Sequence, residues 1–302
     1  MTSVQASPRP ISPDMTQTVF DADFWREFAP NFSIGSKIGN YAFDVSEKDK
    51  QDHNKKLVRE GYVHVRAPGL DAPFPEMAKI FTAIVDKGLP PVFAFVYDEL
   101  WMLNTQIRNL IKSLLHDEYM QLPDFWAWRV APGQAGWRPH RDKGAYSLFP
   151  DKTPKSLTVW MPVTQAHPLN GCMYVLPADR DTLYGVDGAN GFGGQLQDFR
   201  ALPADPGDVL AWTQHVWHWG GHSADEHHLP PRMSVAFEYQ RSDIEAYNKP
   251  LLDPGAMPDF DRRLALIAQQ VMQYRHMYGF TPELVAIAES IIARFGLPRQ
   301  TG

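Results

Sequence analysis

The 302-residue chain has a single cysteine, Cys172, so neither an internal disulfide nor a CxxC zinc cage can hold it together. A reducing compartment suits it, and a cytoplasmic location is expected. No run approaches the ~18 apolar residues that a membrane span needs, and the polar, Pro-dotted start lacks the apolar stretch of a secretion signal. There is no Lys/Arg block either: 29 basic against 35 acidic residues leave a net charge of −6, which argues against a nucleic-acid groove. The GxSxG elbow, the HExxH pair, the GxGxxG fingerprint and the Walker loop are all missing. With them go the common hydrolase, zincin, dinucleotide and nucleoside-triphosphate chemistries. The expected partner is a small molecule, with no nucleic acid and no membrane.

What is present is an ordinary apolar content, 44%, arranged in a changing rhythm. Residues 1–18 are rich in Pro, Ser and Thr and are expected to form a flexible arm. Tyr62-Val63-His64-Val65 reads as a strand after a short helix. Residues 74–87 and 93–119 carry apolar side chains at helical spacing, among them Phe93, Val96, Leu100, Leu103, Ile107, Leu110, Ile111 and Leu114. That spacing predicts two helices broken at Gly88-Leu89-Pro90-Pro91. From Asp124 to Gln240, short alternating segments between Pro, Gly, Asn and Asp predict strands over 125–131, 157–164, 172–176, 208–212, 217–220 and 233–239. This is the pattern of a sandwich or barrel. The glycine-rich stretch within 179–205 lacks phosphate-loop spacing and reads as a mobile surface loop, a candidate lid. Helix returns over 261–278, and Thr281-Pro282-Glu283 opens a last helix that runs to Phe295.

Histidine carries the chemistry. Five of the 11 fall within fourteen residues: His215, His218, His222, His227 and His228. Upstream, His140-Arg141-Asp142 sets an imidazole and a carboxylate two apart, on one side of an extended backbone. Five further elements follow in order: Leu157-Thr158-Val159-Trp160, Asn170-Gly171-Cys172 with Leu176-Pro177, Gly207-Asp208, Trp217-His218-Trp219-Gly220 and Arg232-Met233-Ser234.

This ordered series resembles the phytanoyl-CoA dioxygenase family of non-haem Fe(II)/2-oxoglutarate-dependent oxygenases. The resemblance covers residues 61–240 and is most specific from His140 to Ser234. It implies a mainly β fold with flanking helices, whose core is a double-stranded β-helix, a cupin-like jelly roll. It implies one catalytic domain over residues 19–296, with a helical buttress over 19–123, the β-helix over 124–240 and C-terminal helices over 259–296. Carried over residue by residue, His140, Asp142 and His218 match the metal triad. Arg232, with Ser234, matches the 2-oxoglutarate anchor, and Thr158 and Trp160 line the same cavity. Fe(II), 2-oxoglutarate and O2 are the implied cofactors, and hydroxylation of an amino-acid-like or natural-product-like molecule, with release of succinate and CO2, is the implied reaction. Asp142 stands where related halogenases have a small residue, which favours hydroxylation or desaturation. The alternatives are desaturation, epimerisation or ring formation at the same centre, or a metal- or ligand-binding jelly roll without redox turnover. Two departures stand out: the stretch from HxD to Trp160 is two residues longer, and Trp219 replaces the usual Gly after the distal His.

The chemistry of the triad agrees with the resemblance. Two neutral imidazoles and one carboxylate leave three coordination positions open, enough for a bidentate 2-oxo acid and O2. Alternation puts Arg232, Ser234 and Ala236 on one face of their strand and Met233, Val235 and Phe237 on the other. Arg129 and Trp128, on the strand before the triad, are substrate-contact candidates, with a salt bridge and core packing as the structural alternatives. His215 is expected to face away from the metal, and His227 and His228 to be solvated loop residues.

Overall fold

In the segment Arg232–Arg241, side chains alternate between two environments. Met233, Val235, Phe237 and Tyr239 enter the main apolar core, while Arg232, Ala236 and Glu238 line a cavity on the opposite face. The computed structural model describes residues 10–13, 15–35, 39, 41–225 and 228–296. Within them the strands are β1 (Tyr62–Val65), β2 (Tyr119–Val130), β3 (Ser156–Pro162), β4 (Met173–Leu176), β5 (Arg200–Leu202), β6 (Val209–Thr213), β7 (Trp217–Gly220) and β8 (Arg232–Arg241). They form two antiparallel sheets, one ordered β1-β6-β3-β8-β2 and the other β5-β4-β7. β3 repeats the alternation of β8: Leu157, Val159 and Met161 enter the core, and Thr158 and Trp160 face the cavity.

The helices are α1 (Met15–Thr18), α2 (Ala22–Phe28), α3 (Glu47–Glu60), α4 (Phe74–Asp86), α5 (Asp98–Gln106), α6 (Arg108–Leu114), α7 (Phe260–Tyr274) and α8 (Pro282–Phe295). Side chains cap several of them. Ser46, Asp259 and Thr281 accept hydrogen bonds from the first-turn amides of α3, α7 and α8, and Pro282 takes the first position of α8. The helices cover the apolar face of the five-stranded sheet. There Phe95 meets Phe125 and Phe237 with ring centroids 4.5 and 5.5 Å apart. Fully burying one such ring contributes about 1.5–3 kcal/mol. Arg263 of α7 is buried in this layer, where it pairs with Asp98 at 2.5 Å and donates to the carbonyls of Val96 and Pro258.

The structure differs from the sequence expectations in four places. The helix predicted over 93–119 is a 3-10 turn (Pro91–Val96) followed by α5 and α6, and Tyr119 already belongs to β2. Tertiary bonds interrupt it at Tyr97, which is extended: its hydroxyl donates to the Trp25 carbonyl at 2.9 Å, and the next amide, of Asp98, donates to Ser33. The sheet begins before residue 124, because β1 adds to its edge through β6 and β2 starts at Tyr119. The stretch 179–205 is no plain loop, since it ends in β5, paired with β4. Of the arm expected over 1–18, residues 1–9 and 14 lie outside the described residues, and Met15–Thr18 is helical with Met15 buried.

Candidate metal centre

Two segments far apart in the chain bring the three candidate ligands together. His140 and Asp142 lie between β2 and β3, and His218 lies on β7. His140 and His218 exchange backbone hydrogen bonds, each amide to the other's carbonyl at 3.0 Å. Each imidazole donates its Nδ1–H to a nearby main-chain carbonyl, His140 to Arg138 at 2.8 Å and His218 to Val216 at 3.0 Å. This selects the tautomer and leaves Nε2 as a bare lone pair. The two Nε2 atoms stand 3.1 and 3.5 Å from Asp142 Oδ1, and the three donor atoms lie within 4.8 Å of one another. First-row ions hold N and O donors at about 2.1 Å, which puts cis donors about 3 Å apart. The second oxygen of Asp142 is already engaged, accepting the Thr158 hydroxyl at 2.7 Å and the Trp212 indole N–H at 3.0 Å. Asp142 therefore offers one oxygen.

Protonation states follow from burial and these neighbours. Burial pushes His218 down to about 4, so it is neutral and ready to ligate. Burial alone would raise Asp142, but His218, His140 and the Thr158 hydroxyl together hold it well below the usual carboxylate range. Burial works to lower His140, and the Asp142 carboxylate beside it outweighs that and raises it.

The triad opens into a cavity of about 420 Å³. Thr158, Trp160, Trp128 and Arg232 line it. Arg129 does not, because alternation along β2 puts it on the side opposite Trp128. His215 is buried with Nδ1 on the Lys143 carbonyl at 3.0 Å and takes no part in the triad. His222 bonds the Ser223 carbonyl, and His227 lies outside the described residues.

Arg232 is 2% exposed and has no carboxylate partner among the described residues. Its Nε donates to the Gly171 carbonyl at 3.0 Å and Nη1 to Ser234 Oγ at 2.8 Å, while Nη2 makes no hydrogen bond there. Gly220 keeps that corner open, since a Cβ on it would stand 2.9 Å from Nη2. Burial without a counter-ion pulls the guanidinium down to about 10. A charged group in this condition calls for an anion.

The ordered sequence elements now have physical roles. Gly171, at φ 86°, supplies the carbonyl that holds Arg232. Asp208 ties β1 to β6, accepting from the Ala67 amide at 2.8 Å and bonding His64 Nε2 at 3.0 Å. Sequence reasoning missed Trp212, the second donor to Asp142, and Glu238, whose Oε2 accepts from Lys143 at 2.8 Å and from Gln214 at 2.5 Å. Extending the β8 alternation by two residues would have found Glu238.

A family profile described as phytanoyl-CoA dioxygenase (PhyH) matches residues 31–227, about two thirds of the chain and all three triad residues. The chain belongs to the phytanoyl-CoA dioxygenase family. Arg232 lies just beyond the matched stretch. Among curated proteins of this kind, the dioxygenase lolE1 of Epichloe uncinata is 27% identical over 113 residues, 36% of this chain and 43% of that protein. The matched stretch thus spans less than half of that relative's length. Among solved structures, this family member is similar to the 2-oxoglutarate-dependent epimerase SnoN of nogalamycin biosynthesis (17% identity, TM-score 0.50, covering 72% of this chain and 98% of that one). It is also similar to the non-haem monooxygenase ThoJ (14% identity, TM-score 0.51, covering 80% and 100%). At these identities the likeness is one of fold. No helix of the described residues is long and apolar enough to cross a membrane.

Proposed function

We propose that this protein is an Fe(II)- and 2-oxoglutarate-dependent dioxygenase that hydroxylates a small organic molecule, amino-acid-like or natural-product-like. Its catalytic unit would be a single domain over residues 19–296, with the two sheets forming a double-stranded β-helix, and its location cytoplasmic. The observation that carries this reading is the pairing, in one cavity, of a two-imidazole, one-carboxylate donor set with a buried arginine that lacks a counter-ion. A 2-oxo diacid has use for both features, because its keto-acid end chelates a metal and its far carboxylate needs a cation.

His140 Nε2, His218 Nε2 and Asp142 Oδ1 would hold Fe(II). Thr158 and Trp212 position Asp142, and Thr158 lines the cavity with Trp160 on the side where the co-substrate would lie. Arg232 Nη2 would take the distal carboxylate of 2-oxoglutarate, helped by the Ser234 hydroxyl, whose own proton is free to donate. The Trp160 ring lies beside the guanidinium, 5.9 Å from ring centroid to Cζ, within reach of a cation–π contact. Bound iron with 2-oxoglutarate and O2 supplies oxidative attack on a C–H bond, with one oxygen atom passing to substrate and the other to succinate as CO2 leaves. The protein's share is to orient the reactants and keep bulk water out.

The test is anaerobic titration of Fe(II) and 2-oxoglutarate, followed through the metal-to-ligand charge-transfer band, and then admission of O2 with assay of succinate. A band in the wild type and none in His140→Ala or Asp142→Ala is expected. No band in the wild type overturns the reading, and metal binding without 2-oxoglutarate consumption would leave a ligand-binding jelly roll. Product analysis separates hydroxylation from desaturation, epimerisation or ring formation.

A further inference from the structure

The inner face of β8 carries Arg232 at one end and Glu238 at the other, six residues apart, or about 20 Å along a strand. If Arg232 takes the co-substrate, the Glu238 end is left for substrate. That end adjoins the metal ligands, because Glu238 lies opposite Thr158 in the β3–β8 register and Thr158 holds Asp142.

Its chemistry is one-sided. Asp124 and Glu238 both line the cavity there, and Lys143 is the cation paired with Glu238; Arg138 and Arg141 also line the cavity, but Arg141 is turned to Asp181 at 2.7 Å and Arg138 is exposed. Lys143 is spent on Glu238 Oε2. Asp124 is held by neutral amides, Asn248 at 2.9 and 3.0 Å and Gln273 at 2.6 Å, which satisfy its oxygens without cancelling its charge. Two carboxylates therefore share one lysine. Glu238 Oε1 accepts no hydrogen bond from the described residues. The adjoining wall is aromatic: Tyr274 lies between Trp126 and Trp137, at centroid distances of 5.0 and 5.7 Å, and all three line the cavity. Aromatic faces attract a cation, and they attract it more strongly out of water. Burial raises the Glu238 carboxyl to about 7, and a cation at its open oxygen favours the carboxylate; set against an aromatic wall, this corner is complementary to an organic ammonium, offers an alcohol only a hydrogen bond, and is mismatched to a carboxylate.

We propose that the substrate carries a protonated amine, which donates an N–H to Glu238 Oε1 and rests against the wall of Trp126, Trp137 and Tyr274, so that a carbon near the nitrogen faces the metal. This rests on the 2-oxoglutarate reading above, and the test separates the two. The wild-type enzyme is loaded anaerobically with Fe(II) and 2-oxoglutarate. It is then titrated with cyclohexylmethylamine, cyclohexylmethanol and cyclohexanecarboxylate, and with the matched linear trio, reading the shift of the charge-transfer band. The amines are expected to bind at least ten-fold more tightly than the alcohols, and the carboxylates more weakly still. Glu238→Gln should bring the amine-to-alcohol ratio close to one, and Asp124→Asn should lower it. Because the ratio is internal, it divides out any general loss of affinity in a variant. A wild-type ratio near or below one, or no response to any amine while the band forms, overturns the proposal and leaves the metal centre standing. An unchanged ratio in Glu238→Gln also overturns it. Absence of the band in the wild type overturns the reading beneath it.

Discussion

Two buried arginines in this protein live under opposite conditions. Arg263 and Arg232 are 0% and 2% exposed. Arg263 lies in the helical layer against Asp98, and its remaining donors go to main-chain carbonyls. Among the described residues, Arg232 lies in the cavity with two neutral acceptors, no acid, and one nitrogen left over. A charge neutralised within the fold holds helices to each other. A charge left unneutralised beside a metal-ligand triad marks where a ligand completes the structure.

The comparison breaks or sharpens under four measurements. The largest effect is expected from Asp98→Ala, which strands Arg263 in an apolar layer and should cost about 3–5 kcal/mol in urea unfolding. A loss under about 1 kcal/mol would mean that Arg263 does not depend on its partner. Arg232→Met is expected to leave stability within about 1 kcal/mol and yet weaken 2-oxoglutarate about 100-fold in the charge-transfer titration, since a buried charged contact contributes 2–5 kcal/mol. If stability collapses instead, Arg232 is as structural as Arg263. Next come Thr158→Val and Trp212→Phe, each removing one donor to Asp142. Each should weaken Fe(II) binding about ten-fold, the lower range for groups that orient a ligand. The smallest effect concerns His218, a third buried group, which resolves its burial by giving up its proton. Its folded value near 4 lies below the ordinary 6.5, so the unfolded chain binds the extra proton between those limits. Stability is complete above pH 6.5 and falls as the pH drops toward 4. The metal-free protein should lose a few degrees of Tm over that window, and His218→Gln should flatten the profile; an equal slope in the variant would place the proton elsewhere.

Much of the site was legible because its parts are local in sequence. His140 and Asp142 are two residues apart, Arg232 and Ser234 likewise, and β7 begins and ends where the Trp217–Gly220 segment predicted. The partners of Asp142 were less visible. Trp212 and Thr158 meet it from β6 and β3, and no spacing in the chain encodes a convergence made by sheet register. The helix predicted over 93–119 failed for the converse reason. Phe93, Val96, Leu100, Leu103 and Ile107 are all fully buried, so the apolar period is real, but a 3-10 turn and two short helices present the same stripe. Periodicity reports which face is covered, and tertiary bonds at Tyr97 and Asp98 decide where the backbone bends.

The inward face of β8 has one more implication. Arg232, Ala236 and Glu238 reach the cavity only because the strand alternates without a break, paired with β3 from Ser234 to Gln240 and with β2 from Arg232 to Phe237. Inserting or deleting one amino acid near the middle of that strand would turn one end of the ribbon over, exposing apolar groups to the chamber and sinking a charge into oil. Pairing errors and catalytic errors would then be the same event, so the length of this ribbon is constrained as tightly as the identity of Arg232.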